Sequence, residues 1–316
     1  MKVFRHLSRR VRPQTAGSVL AIGIFDGFHR GHQKIIKKVK TEASSKGVAS
    51  GVLSFYPHPE KSLNGRPIKM IQTLEQRLRF FDQAGLDFCL LFDLENGLSR
   101  LSGKEFAQQI IKDSLGVWQV VVGRNFRFGH RRQCSIDDLK QFGRLFGFKV
   151  TVLEPARSGG RPISSSLIRK LLETGRIEEA NKLLCHPYEI SGQVVSGDRL
   201  GRRLGFPTIN LKTENEITPA GVFITLTEIN GKIFPSVSNI GIRPTVGGTV
   251  RQVESHLLDI SLKVCRQKAS LFLLKKIREE KKFDSVQALK EAIARDINLS
   301  RKFFERQAGH FWLEDR

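Results

Sequence analysis

Two histidines stand three residues apart in Gly23-Ile24-Phe25-Asp26-Gly27-Phe28-His29-Arg30-Gly31-His32-Gln33. That spacing puts both imidazoles on one face if the segment opens a helix. The free N–H groups and dipole of a helix start favour an anion. Two imidazoles beside such a place suit phosphoryl chemistry, donating hydrogen bonds to non-bridging oxygens as charge builds in the transition state. The plainer alternative, two surface histidines flanking a tight turn, is weakened by context. The apolar run Val19–Ile24 precedes the stretch and Ile35, Ile36 and Val39 follow at helical spacing, which predicts strand, glycine-rich turn and helix. Gly23, Phe25 and Asp26 are the residues of that turn expected beside the anion.

A second constellation is Gly197-Asp198-Arg199-Leu200-Gly201-Arg202-Arg203-Leu204-Gly205-Phe206-Pro207-Thr208-Ile209-Asn210. Gly197, Gly201 and Gly205 allow close backbone approach to phosphates. Thr208 and Asn210 are two apart on an expected strand, so their side chains face one way. A hydroxyl and an amide oxygen can ligate a hard Mg2+ ion that keeps several waters. A basic hairpin followed by an ordinary edge strand is the structural alternative. A third stretch, Ile163-Ser164-Ser165-Ser166-Leu167-Ile168-Arg169, reads as a serine-capped helix start, which also suits phosphate, with Arg169 one turn in. No Gly-x4-Gly-Lys-Ser/Thr occurs, so kinase chemistry would need a different phosphate cradle.

The elements that must carry these residues fall into two patterns. Strands are expected at 19–24, 48–55, 88–92, 117–122 and 148–153, alternating with helices that include Ser102–Leu115, so the first part reads as a parallel sheet with helices on both faces. In such a sheet ligands bind at the carboxyl ends of the strands. That position makes His58, in Tyr56-Pro57-His58-Pro59, a candidate lining residue, against the alternative of a loop histidine fixed by two prolines. Arg124, Phe126, Arg127 and Phe128 interleave aromatic and basic side chains, as in base stacking or an edge strand with alternating faces. After a helical tether, 175–184, six short strands at 190–195, 208–211, 222–229, 233–237, 253–260 and 269–274 suggest an antiparallel barrel. A helix with Val286, Leu289, Ile293 and Ile297 on one side closes the chain, and the boundary is expected near residue 186.

The 316 residues carry a net charge of +22, with +16 of it in residues 1–186. Such an excess fits nucleic acid, an anionic surface or polyphosphate substrates. No zinc-finger spacing or RNA-recognition aromatic motif is present, so nucleic-acid binding stands as the second class. No run of 18 apolar residues exists, so no membrane span is expected, and Met1–Arg12 is not a secretory signal. Four scattered cysteines point to a reduced cytoplasm.

The first stretch resembles the nucleotidylyltransferase superfamily. Its longer form, Gly-x-Phe-Asp-Gly-x-His-x-Gly-His-Gln, is similar to that of the bacterial bifunctional riboflavin kinase/FAD synthetase (FMN adenylyltransferase) family. Gly197–Asn210 resembles that family's riboflavin kinase signature, and Pro219–Phe223, Ser238–Thr245 and Val253–Asp259 resemble further kinase segments in order. The resemblance implies a Rossmann-like nucleotidylyltransferase domain, residues 1–186, and a six-stranded antiparallel riboflavin kinase barrel with a C-terminal helix, residues 187–316. It implies riboflavin + ATP to FMN + ADP in the second module and FMN + ATP to FAD + pyrophosphate in the first, with Mg2+ and with ATP as co-substrate. By resemblance, His29 and His32 act on the α-phosphate, Asn125 binds nucleotide, Ser164, Ser165 and Arg169 hold the ATP phosphates, and Pro57 and His58 line the flavin site. In the kinase module Thr208 and Asn210 hold Mg2+, Glu254 is the base on the ribityl hydroxyl, and Arg278, Glu280 and Phe283 lie near the flavin. On the residues alone Glu254 more often reads as a barrel-rim carboxylate paired with a neighbouring arginine. Two departures stand out: Arg132-Gln133-Cys134-Ser135 replaces the family's Arg-x-Gly-Asp, and Lys263–Gln267 replaces its Leu-Tyr-Gly. They leave open a chain with only one working module.

Overall fold

The computed structural model describes residues 1–7, 11–60, 68–93, 98–197, 200–245, 248–260 and 264–307. Asp198, Arg199 and Lys263, named above, lie outside them. The chain divides into two compact units, Met1–Leu167 and Ile168–Arg316.

The first unit is a six-stranded, all-parallel sheet in the order β1-β4-β3-β2-β5-β6. Its strands are β1 (Lys2–Phe4), β2 (Val19–Ile22), β3 (Ser50–Phe55), β4 (Phe88–Phe92), β5 (Gln119–Gly123) and β6 (Lys149–Leu153). Five strands were expected from the sequence. The sixth is β1, three residues long among arginines, which takes its place by pairing with β4 rather than by any apolar pattern of its own.

Strand alternation sends side chains to both faces. Leu20, Ile22, Leu53, Leu90, Val120 and Val122 pack with Phe106, Ile110, Ile111 and Leu139 on one side. Val19, Ala21, Val52, Cys89 and Val121 pack with Ile36, Val39, Ala43 and Phe81 on the other. Phe126 and Phe128 belong to the first of these cores, so the aromatics of the 124–128 segment pack inward. The expected helix Ser102–Leu115 is α-helical only over Gly103–Glu105 and π-helical over Phe106–Ser114. β2 and β5 are neighbours, and the chain runs on from β2 to β3 on one side and from β5 to β6 on the other. This switch point opens a crevice at the carboxyl ends of β2 and β5.

The second unit is a closed antiparallel barrel in the order β10-β13-β12-β11-β14-β9, named after a small hairpin, β7 (Arg157–Ser158) and β8 (Arg161–Pro162). The barrel strands are β9 (Tyr188–Val195), β10 (Ile209–Thr213), β11 (Gly221–Ile229), β12 (Lys232–Thr245), β13 (Gly248–Leu257) and β14 (Lys268–Arg278). β12 and β13 run further than expected because Gly241 and Pro244, which read as turn residues, sit inside the ladder. The barrel interior holds a chain of fully buried hydroxyls. Thr225 bonds Ser236 at 2.8 Å and Ser238 at 2.7 Å, and Thr227 bonds Ser236 at 2.8 Å and Ser255 at 3.0 Å. Each buried oxygen is thus satisfied by another, which is what allows hydroxyls at inward positions. The tether helix, Ile177–Leu184, belongs to this unit: Asn181 donates to the Leu273 carbonyl and accepts from the Tyr188 amide, both at 2.8 Å. At the 263–267 departure, Arg266 takes a left-handed φ of 60° and donates its N–H to Val194 at 2.9 Å, a turn for which glycine is the ordinary residue.

Gly51 on β3 lies directly opposite Phe88 on β4, and a Cβ there would come within 2.2 Å of the Phe88 ring. Gly51→Ala should destabilise the protein by about 1–3 kcal/mol, seen as a lower urea midpoint by circular dichroism. An unchanged midpoint would show that the ring is free to retreat.

Candidate functional site

In the first unit the histidine pair stands at the start of the helix Arg30–Lys46. His29 is its N-cap: with extended backbone, it accepts the Gly31 N–H on Nδ1 at 3.1 Å. An imidazole that accepts on Nδ1 carries its proton on Nε2 when neutral. Gly31 leaves room for the ring, since a Cβ would meet it at 3.0 Å. The His32 ring stacks on His29 with centroids 3.7 Å apart and 19° between planes, and Phe25 meets it edge-on at 5.2 Å. His32 Nδ1 is buried with no hydrogen-bond partner among the described residues. Burial lowers the His29 pKa from 6.5 to about 4. Burial, then His29, then Arg77 hold His32 well below its ordinary value. Both rings are therefore neutral at physiological pH, and an approaching polyphosphate would favour their protonated forms.

The turn before the helix is strained. Phe25, Gly27 and Phe28 all have positive φ, at 57°, 89° and 41°. Buried groups hold it. The Asp26 carboxylate accepts from the amides of Ile71 at 3.0 Å and Gln72 at 3.2 Å, and Gln72 Oε1 accepts the Gly27 N–H at 3.0 Å. Asp26 thus grips the 71–72 loop. Ser165 Oγ donates to the Asp26 carbonyl at 2.8 Å, which ties the Ser165–Glu173 helix start to the turn, while Ser164 Oγ accepts the Leu167 N–H at 3.3 Å. Arg169 follows one turn along that helix. Gly23 lies against the Phe25 ring, Asn125 is exposed just beyond β5, and Pro57 and His58 follow β3. His58 is buried and accepts the Glu60 N–H on Nδ1 at 3.1 Å. The altered 132–135 loop keeps a β-bridge between Phe128 and Cys134, with Ser135 capping the next helix through Asp138.

The buried cation Arg77 escaped the sequence reading. It donates to the carbonyls of Ile24 at 2.9 Å and Phe55 at 3.1 Å, joining the turn after β2 to the strand end before Pro57 and His58. In the sequence it is one more polar residue beside the apolar stripe of Leu74, Leu78 and Phe81.

In the second unit the ladder register aligns the functional side chains. Asn210 faces Glu254, Glu254 faces Asn239, Asn239 faces Val222, and Val222 faces Arg278. Directly opposed residues in antiparallel strands share a face, so these form one row across the outside of the barrel. The row floors a cavity of about 850 Å³ that Gly197, Gly201, Thr208, Glu280 and Phe283 also line. Gly205 borders a smaller neighbouring recess, and its φ of 92° requires glycine. The other two glycines make room for side chains: a Cβ at Gly197 would strike the Asn210 amide at 2.3 Å, and one at Gly201 would reach Thr208 Oγ1 at 3.1 Å. Arg278 is clamped by the buried Asp296 of the helix Val286–Arg306, with contacts of 3.0 and 2.8 Å to Oδ2, and lies 5.5 Å from the Phe283 ring. Asp296 was also missed, although a carboxylate beside Ile293 and Ile297 on an apolar face is a signal.

Comparisons with known proteins cover both parts of the chain. The family model described as FAD synthetase matches residues 11–167, and that described as riboflavin kinase matches residues 184–304. A bifunctional riboflavin kinase/FMN adenylyltransferase of Escherichia coli K12 is 35% identical over 96% of this chain and 98% of its own. The protein of that name from Bacillus subtilis is 34% identical over 95% and 96%. A solved structure from Streptococcus pneumoniae described as a macrolide-efflux protein matches with TM-score 0.87 at 26% identity, over 95% of this chain and 99% of its own. No helix among the described residues is long and apolar enough to cross a membrane.

The depressed His29 pKa has a measurable sign. The unfolded chain binds a proton near pH 6.5 and the folded chain only near pH 4, so this contribution to stability is complete above 6.5 and is lost as pH falls towards 4. It amounts to on the order of 3 kcal/mol. His29→Asn, which keeps a capping side chain, should flatten the fall in denaturation midpoint between pH 6.5 and pH 4. An unaltered slope would mean that His29 titrates normally.

Proposed function

The chain belongs to the bifunctional riboflavin kinase/FMN adenylyltransferase family, and we propose that each of its two reactions has its own set of residues. The protein phosphorylates riboflavin to FMN with ATP and adenylylates FMN to FAD. We assign adenylylation to residues 1–186 and phosphorylation to 187–316. The observation that carries the assignment is the neutral, stacked histidine pair at a helix start in one unit, against the Asn210–Glu254–Asn239 row in the other.

In adenylylation an FMN phosphate oxygen attacks the α-phosphorus of ATP and pyrophosphate leaves. Negative charge grows on the non-bridging and bridging oxygens and needs donors already in place. His29 Nε2–H supplies one at the α-phosphate, with His32 stacked behind it. Gly23, Phe25 and the Asp26 backbone border the nucleotide, with Asn125 beside it. Ser164, Ser165 and Arg169 hold the other phosphates, and Pro57 and His58 border the flavin. Arg77 binds no substrate in this reading; it keeps the two loops in register.

In phosphorylation the ribityl 5′-hydroxyl attacks the γ-phosphorus. Glu254 orients that hydroxyl and takes its proton. A hydroxyl and an amide oxygen form a donor set suited to a hard cation, and the space left by Gly197 and Gly201 is what admits these two side chains. Thr208 and Asn210 would therefore hold Mg2+, which when bound would offset charge on the ATP phosphates. Arg278, Glu280 and Phe283 border the isoalloxazine ring, and the Asp296 clamp fixes the Arg278 guanidinium. The four free cysteines fit a reducing cytoplasm.

His29→Ala should stop FAD formation and spare FMN formation, and Glu254→Gln should do the reverse, each by roughly 100-fold or more. Chromatography of flavins from riboflavin, ATP and Mg2+ reads both. Loss of both reactions by either substitution in a folded protein would refute separate sites.

A further inference from the structure

Gln252 lies outside every residue role assigned above, yet it touches two of the groups that matter. It sits two residues before Glu254 on β13, on the same outer face, opposite Gly241. Its carboxamide nitrogen donates to Asn210 Oδ1 at 2.9 Å and to Glu254 Oε1 at 2.9 Å. We propose that Gln252 is a positioning residue for the kinase reaction, fixing the metal-facing oxygen of Asn210 and the carboxylate of Glu254 with one NH2 group. The proposal rests on the reading of Asn210 as a cation ligand and Glu254 as the base.

The need for such a residue follows from the register. Asn210 and Glu254 are direct cross-strand partners, so two oxygen acceptors face each other at about 5 Å between Cβ atoms. Acceptors set that close repel unless a donor lies between them, and a carboxamide NH2 has two hydrogens for two oxygens. The Asn210 amide is ambiguous by itself, since its oxygen and nitrogen ends have nearly the same shape. The Gln252 donor selects the oxygen end for this side, while the nitrogen end lies over Gly197, where a Cβ would come within 2.3 Å of it. On the next strand Gly241, opposite Gln252, makes room for the Glu280 carboxylate, since a Cβ there would come within 2.2 Å of its Oε1. Residues that orient ligands in this way typically matter 10- to 100-fold for metal affinity or activity.

The test is Gln252→Met in the full-length protein, which keeps chain length and volume and removes both donors. Phosphorylation of riboflavin would be followed against Mg2+ and against riboflavin, with FMN adenylylation measured on the same sample. The expected result is a fall in kcat of about 10- to 100-fold and a Mg2+ requirement raised several-fold, with KM for riboflavin within about threefold and adenylylation unchanged. Gln252→Glu, similar in size but unable to donate, should lose phosphorylation likewise, and it decides the matter if the methionine variant also lowers adenylylation. Phosphorylation and Mg2+ dependence within about twofold of the parent in either variant, while Glu254→Gln is inactive, would overturn the role of Gln252 and leave the base in place. An active Glu254→Gln would instead overturn the base, and the positioning role with it.

Discussion

The hydrogen bond from the Gly31 amide to His29 Nδ1 does several things at once in the adenylyl unit. It caps a 17-residue helix, it fixes which imidazole nitrogen carries the proton, and it aims that proton away from the helix. The pairing also dictates its surroundings. Glycine at residue 31 gives the ring its room, since a Cβ there would meet it at 3.0 Å. The ring must be reached through a turn with three positive φ angles, a conformation that Asp26, Gln72 and Ser165 hold by hydrogen bonds. Stacking a second imidazole at 3.7 Å makes a doubly protonated pair costly, which with burial keeps both rings neutral. A neutral donor poised for charge that appears only in the transition state is what preorganisation asks for.

The kinase unit reaches the same end by another route. The groups proposed for its reaction come from β10, β13, β12 and β14, and they align because antiparallel register leaves no freedom in which residue faces which. A one-residue slip of β13 would send Glu254 into the barrel among the hydroxyls of Thr227 and Ser255. The hydroxyl chain inside the barrel and the reactive row outside are thus two faces of one alternation. Two helices secure the sheet: Asn181 anchors the tether, and Asp296 holds Arg278 against the closing helix. Neither half of the sequence carries Gly-x4-Gly-Lys-Ser/Thr; in the sites proposed above, polar side chains and helix starts take that part.

How much of this is legible in the sequence depends on the kind of signal. Periodicity gives both folds, because a parallel sheet covered on two sides and a barrel of short strands leave different apolar patterns. The histidine pair and the Thr208–Asn210 pair are legible because spacing alone decides which side chains share a face. Lys2–Phe4 is not, since only its pairing with β4 makes it a strand. Arg77 is not, because its burial comes from two carbonyls contributed by distant strands. Gln252 looks like any polar residue on an edge until the register sets it beside Asn210. The aromatic–arginine alternation after β5 is legible but ambiguous, and Phe128 at 6% exposure settles it as core.

The adenylyl site described above depends on His29 standing neutral in the folded protein with its proton on Nε2. Histidine-selective nitrogen NMR of the folded protein, titrated from neutral pH downwards, observes this directly. An Nε2–H tautomer at neutral pH and a midpoint near pH 4 are expected. A midpoint close to 6.5, or a proton on Nδ1, would contradict it, because the Gly31 amide would then have no acceptor and the donor would face the wrong way.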